Sequence, residues 1–251
     1  MSERSTKIKK SIIVSGLVGS GGFFIAKLIG LFYAIPFSYI LGSDAYNSYY
    51  GSAYQIYTYL LNIFTAGFPF AIATLVAKYM ELGNFKTVLQ VKKISLLFLS
   101  LTGFLGMAVM MLLSGVLAPL LTDSAQGTPI MVTVLCILSV AVFLVPILSA
   151  YRGFIQGCKE MQVYAYSQAF EQLFRVGFLL SASCLAVYVL NMERVWALYA
   201  AVLSTSIAAI AGIIQIHSAS KVLEKDITAE AKKSRSKAIP VNELFREFLL
   251  L

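Results

Sequence analysis

Six long apolar runs limit what this chain can become: residues 12–40, 53–77, 94–121, 130–150, 163–190 and 195–216. Each offers about the 20 residues a helix needs to cross hydrocarbon about 30 Å thick. The runs are continuous rather than alternating, which excludes a membrane barrel built of short two-faced strands. With 59% hydrophobic and only 13% charged residues, the chain reads as an all-α polytopic membrane helix bundle. The first run is too long for a signal-peptide core and lacks a small-residue cleavage site, so it is counted as a span.

A net charge of +8 could suggest a nucleic-acid partner, but the basic residues sort by membrane side. Arg4, Lys7, Lys9 and Lys10 precede the first run, and Lys78, Lys86, Lys92 and Lys93 lie between the second and third. Arg152 and Lys159 separate the fourth from the fifth, and Lys221, Lys225, Lys232, Lys233, Arg235 and Lys237 follow the sixth. The opposite connections hold Asp44, Asp123 and Glu193, with Arg194 the only base. The positive-inside rule therefore puts the N-terminus and the segment after the sixth run in the cytoplasm of a multi-pass cell-membrane protein. Membrane lipids, and no nucleic acid, are the expected surroundings.

Enzyme chemistry finds no foothold. There is no Walker loop, no nucleophile elbow and no pair of carboxylates on one helix face. Cys136, Cys158 and Cys184 form no even set, and His217 has no ligand-spaced partner, so neither a disulfide framework, a metal site nor a cofactor is expected. His217 reads as a surface imidazole.

The polar run from Ser149 to Val176, SAYRGFIQGCKEMQVYAYSQAFEQLFRV, is where function should lie. Charges at the centre of a spanning helix cost roughly 2.5–3.5 kcal/mol each on insertion scales, so those at depth need partners or water. Arg152, Gly153, Gln156 and Gly157 read as a cytoplasmic loop motif. Gln168, Glu171, Gln172 and Arg175 recur at steps of three and four and form one stripe on a helix. Glu171 and Arg175 are spaced for an i, i+4 pair. Mutual neutralisation, a gate that pairs and releases, and direct substrate contact are the three roles that spacing allows.

Lys27 lies about 22 Å along the first run by helical rise, too deep for easy snorkelling. Such a cation either faces a wet cavity and binds substrate or is neutralised by a neighbouring helix. Helix breakers at Gly16, Gly19, Gly21, Gly22, Gly30 and Pro36, at Gly67 and Pro69, and at Pro146 suit spans that line a transport path.

RGFIQG followed by KEM, then AYSQAFEQLFRV, resembles the signature between the fourth and fifth helices of the MurJ/SpoVB type of lipid II flippases. That family lies within the superfamily of multidrug, oligosaccharidyl-lipid and polysaccharide exporters. GGFFIAKLIGLFYAIPFSYILG and AYQIYTYLLNIFTAGFPFAIATLVAKY are similar to its first two helices. The resemblance implies a fourteen-helix, two-lobe transporter with a V-shaped cavity. This chain would supply the N-terminal lobe (residues 1–220), a cytoplasmic linker (221–239) and the start of a truncated seventh helix (240–251), with the C-terminal lobe missing. An amphipathic interfacial helix is the other reading of residues 240–251.

The resemblance further implies that an undecaprenyl diphosphate sugar, a lipid-linked oligosaccharide, is moved between leaflets by alternating access, with cavity cations engaging the diphosphate. Lys27 sits where many members carry Arg, Tyr33 falls near a second family Arg, and a common Pro is replaced near Val163. A translocase for another wall or capsular repeat unit, and a non-transporting scaffold, are the alternatives.

Overall fold

Backbone groups in hydrocarbon have no water to bond to, so each apolar run must satisfy its own N–H and C=O groups as helix. The structure, a computed structural model, describes residues 21, 24, 27–65, 67–122, 124–234 and 236–250, with the side chains of Leu249 and Leu250 excepted. The expectations on Arg4, Lys7, Lys9, Lys10, Gly16, Gly19, Gly22, Asp123, Arg235 and the first half of span one lie outside the described residues.

Helix α1 covers Lys27–Leu41 and ends at Gly42, whose left-handed backbone (φ 55°) returns its N–H to Ser38. Helices α2 (Asp44–Thr65) and α3 (Phe68–Glu81) form one crossing, broken at Gly67 with φ 78°. Pro69 then lies in the first turn of α3, where its missing N–H breaks no helical bond. Helix α4 spans Phe85–Leu117 and tightens into a 3₁₀ turn, Ala118–Leu120. Helix α5 is Gly127–Gly157; α6 is Met161–Cys184, widening into a π turn over Leu185–Val189. Helices α7 (Val195–Lys233) and α8 (Val241–Leu250) complete the order. Five of these runs are long and apolar enough to cross a membrane, and Lys27–Leu41 is a shorter apolar helix. The described residues contain no strand.

Two boundaries differ from the sequence reading for one physical reason. Arg152, Gly153, Gln156 and Gly157 are not in a loop but in the last turns of α5, and residues 221–233 are helical, continuing α7 over most of the 221–239 segment. Hydrocarbon thickness fixes how many apolar residues a span needs, but a helix with polar side chains continues beyond it into water.

Helices already in lipid gain little from hydrophobic burial against one another, so close approach through small residues holds them. Helix α5 is the common partner, packing against α2, α3, α4 and α7. Its Gly153 and Gly157, one turn apart, form a notch for α3. A Cβ at Gly153 would stand 2.7 Å from the Pro69 carbonyl oxygen, and one at Gly157 would stand 2.5 Å from the Val76 Cβ. The same α5 meets α4 at Gly103, where a Cβ would stand 2.9 Å from the Phe143 carbonyl oxygen.

One buried cation was not foreseen as such. Lys92, read as a connector residue, is only 6% exposed within α4, bonded to Glu224 of α7 at 2.7 Å and seated over the Phe154 ring. Nearby, His217 is half-buried rather than a free surface imidazole, with its Nδ1 2.8 Å from the Tyr151 hydroxyl. Helix α8 lies against α3 and α4: Phe248 stacks on Phe68 at 5.5 Å, and Glu247 takes Lys78 at 2.9 Å and the Tyr79 hydroxyl at 2.7 Å.

The glycine notch gives a direct test. Gly157→Ala should destabilise the folded protein by about 1–3 kcal/mol through overpacking, read as a lower thermal midpoint in detergent. Gly115→Ala on α4, where a Cβ meets nothing within 4 Å, should leave the midpoint unchanged or raise it.

Candidate functional site

The polar stripe of α6 needs somewhere to face, and the fold supplies it. Gln168, Glu171, Gln172 and Arg175 of α6 share a cavity of about 390 Å³ with Lys27, Gly30 and Tyr33 of α1 and Arg152 of α5. Gly30 permits the approach of α1, since a Cβ there would stand 3.2 Å from the Gln172 amide nitrogen. Lys27 is exposed and opens onto this cavity.

The structure changes the expected pairing. Glu171 binds Arg152, not Arg175: Glu171 Oε2 lies 2.7 Å from Arg152 Nη2, and both side chains are largely enclosed, 21% and 15% exposed. The same guanidinium donates from Nη2 to the Ser167 carbonyl at 3.0 Å and from Nε to the Ser167 hydroxyl at 3.3 Å. Ser167 and Glu171 stand one turn apart on α6, so Arg152 reads both from across the α5–α6 hairpin. A planar guanidinium with five donors suits that shared geometry better than an ammonium would.

Arg175 is held differently. Its guanidinium carbon lies 5.0 Å from the centre of the Tyr54 ring on α2, and its buried Nε has no hydrogen-bond partner. A cation over an aromatic face gains about 0.5–2 kcal/mol but leaves its N–H donors open. The Tyr54 hydroxyl is bonded to Thr205 of α7, its ring packs on Tyr50 at 4.6 Å, and Tyr50 meets the Tyr33 hydroxyl at 3.1 Å. A tyrosine ladder thus ties α1, α2 and α7 around Arg175.

The cavity wall therefore carries three cations, Lys27, Arg152 and Arg175, against the single carboxylate of Glu171. Such a site is complementary to an anion, and most of all to one with several oxygens that can accept from two guanidiniums and an ammonium at once. No cluster of three or more metal-ligating side chains occurs among the described residues.

Gly153 and Gly157 belong to the α3 contact and not to the cavity, and Gln156 is half-buried outside it. Asp44 is also elsewhere, in the first turn of α2. It lines a separate crevice of about 710 Å³ with Arg194, which donates to the Ile40 carbonyl at 3.0 Å and so caps α1. Nothing in the sequence around Arg194 signals this cap, because its acceptor, the Ile40 carbonyl, is a backbone group 154 residues away.

The fold is similar to half of solved transporters of the MOP superfamily. It superposes on an outward-facing multidrug resistance transporter of the MATE family with a TM-score of 0.68 at 13% identity, covering 94% of this chain and 50% of that one. A superfamily transporter from Pyrococcus furiosus gives 0.63 at 12% identity, over 94% and 50%. Residues 8–249 match the polysaccharide biosynthesis protein family, and the chain belongs to it. Among curated relatives, it is 32% identical to the lipid II flippase MurJ of Bacillus subtilis over 200 residues, 78% of this chain and 37% of that protein. It is 35% identical over 162 residues to the membrane protein YabM of the same organism, 63% of this chain and 28% of that one. The chain thus spans about a third of the length of these relatives.

A double-mutant cycle separates the two candidate partners of Glu171. Arg152→Ala and Glu171→Ala should each destabilise, and their combination should recover about 1–3 kcal/mol of coupling. Arg175→Ala and Glu171→Ala should add within about 0.5 kcal/mol. Thermal melts of the purified variants in detergent measure both.

Proposed function

We propose that the chain is the N-terminal lobe, residues 1–220, of a flippase that carries a lipid-linked oligosaccharide across the cell membrane by alternating access. Residues 221–239 then form its cytoplasmic linker and residues 240–251 the approach to a seventh helix. The observation that carries this reading is the excess of cations over carboxylates in the cavity beside α6. A cationic cargo would be repelled there and a neutral one would gain no charge-assisted contact, whereas a polyprenyl diphosphate sugar brings the negative oxygens such a wall can hold.

Membership of the polysaccharide biosynthesis family and the likeness to a lipid II flippase support undecaprenyl-diphosphate-linked peptidoglycan precursor as the substrate. The cavity residues named here bear on the diphosphate, which other wall or capsular repeat units share, and not on the sugar. Lys27 would act as a mobile point charge at the cavity mouth, and Arg175 would present its open donors from the tyrosine platform. Lys27 on α1 and Arg175 on α6 then meet the anion from two helices. The N-terminus is cytoplasmic in this reading, so the headgroup enters from the side that carries the basic loops.

Two experiments check it. Lys27→Ala, introduced into the native gene, should abolish rescue of a flippase-deficient strain at normal membrane levels, while Lys27→Arg should retain most of it. Full rescue by Lys27→Met would contradict the reading. Reporter fusions after Gly83, Gly157 and Ser220 should signal cytoplasm, and those after Ser43, Gly127 and Asn191 the exterior. An exterior signal after Ser220 would invert the map.

A further inference from the structure

The carboxylate of Glu171 is out of place in a cavity meant for an anion, and its partner suggests why it is there. It occupies one N–H of Arg152 at 2.7 Å, the contact a phosphate oxygen would make. Arg152 is held by more than Glu171, because its Nε and Nη2 are also bonded to Ser167, a fully buried residue. Removing the carboxylate would leave the guanidinium anchored, with a donor open to the cavity.

Glu171 also has somewhere to go. Arg175 stands four residues on along α6, in the orientation that favours an i, i+4 ion pair, and its buried Nε is without a hydrogen bond. A change of side-chain rotamer would carry the carboxylate from Arg152 towards Arg175 as an arriving phosphate takes over the Arg152 donor.

We propose that Glu171 is the resting counter-anion of the cavity: it holds Arg152 until a diphosphate takes its place, and then turns to Arg175. This rests on the flippase reading given above and adds a residue that opposes binding. Glu171 and cargo compete for one guanidinium, so Arg152 stays paired in the empty cavity and the loaded one can release its cargo when the carboxylate returns. Without a competitor for Arg152 the site would hold a diphosphate more tightly and release it more slowly.

The test uses the purified full chain in detergent, with farnesyl diphosphate as probe and farnesol as the uncharged control. Glu171→Gln keeps the shape and a hydrogen bond to Arg152 but removes the competing charge, so it should bind farnesyl diphosphate about tenfold more tightly, with farnesol binding unchanged. Glu171→Asp, which keeps the charge but shortens its reach, should give a smaller gain and covers the case in which the Gln variant folds poorly. Thermal midpoints measured on the same samples report folding. Equal or weaker affinity in folded Glu171→Gln would overturn the counter-anion while leaving the flippase reading intact. A wild-type chain that prefers farnesyl diphosphate no more than farnesol would remove the flippase reading and this inference together.

Discussion

The ion pair between Arg152 and Glu171 is the interaction on which the arrangement of this lobe turns. Four charged side chains project into one cavity of a protein otherwise made for hydrocarbon, and each would be costly alone. The pair ties the last turns of α5 to the middle of α6, and Ser167 extends the tie to the α6 backbone. With Glu171 so engaged, Arg175 is left to the face of Tyr54, which brings α2 and, through Thr205, α7 to the same place. Exchange of the pair for a hydrophobic contact would be tolerable for stability alone, since buried ion pairs often do no better than break even. Three cations and one acid in one wall are thus a costly arrangement for packing alone, and the proposed anionic cargo would give it a use.

Packing and polarity are served by neighbouring faces of the same helix. Gly153 and Gly157 face α3 at van der Waals limits, while Arg152, the adjacent residue, faces α6 about 100° round the helix. A notch that permits no Cβ also fixes rotation about the α5 axis, and rotation decides where the Arg152 guanidinium points. Close packing by small residues thus sets the geometry of the charged site.

The sequence carried the fold class because spans are dictated by a length of hydrocarbon, and the polar stripe of α6 because helical periodicity is local. The helix ends were less legible: the turn containing Arg152 and the stretch from Lys221 to Lys233 are polar, and a hydropathy window stops where a helix in water does not. The partner of Glu171 was misread for a related reason. Arg175 is its neighbour in sequence, whereas Arg152 reaches it only once the α5–α6 hairpin has closed. Lys92 with Glu224, separated by 132 residues, left no local signal at all. Lys27 was legible in place, opening onto the cavity, but its exposure shows that the cavity mouth rather than the packed interior receives it.

Membership of the polysaccharide biosynthesis family and the half-transporter fold set the frame, and the cation-rich cavity beside α6 carries the central claim. Its most direct test is photocrosslinking of the membrane-embedded protein with a polyprenyl diphosphate that carries a photoreactive group next to the phosphates, followed by peptide mapping. The account predicts adducts on α6 between Gln168 and Arg175 and on α1 near Lys27, suppressed by excess unlabelled polyprenyl diphosphate. Adducts confined to the basic segments around Lys86 and Lys225, with α6 unlabelled, would contradict it.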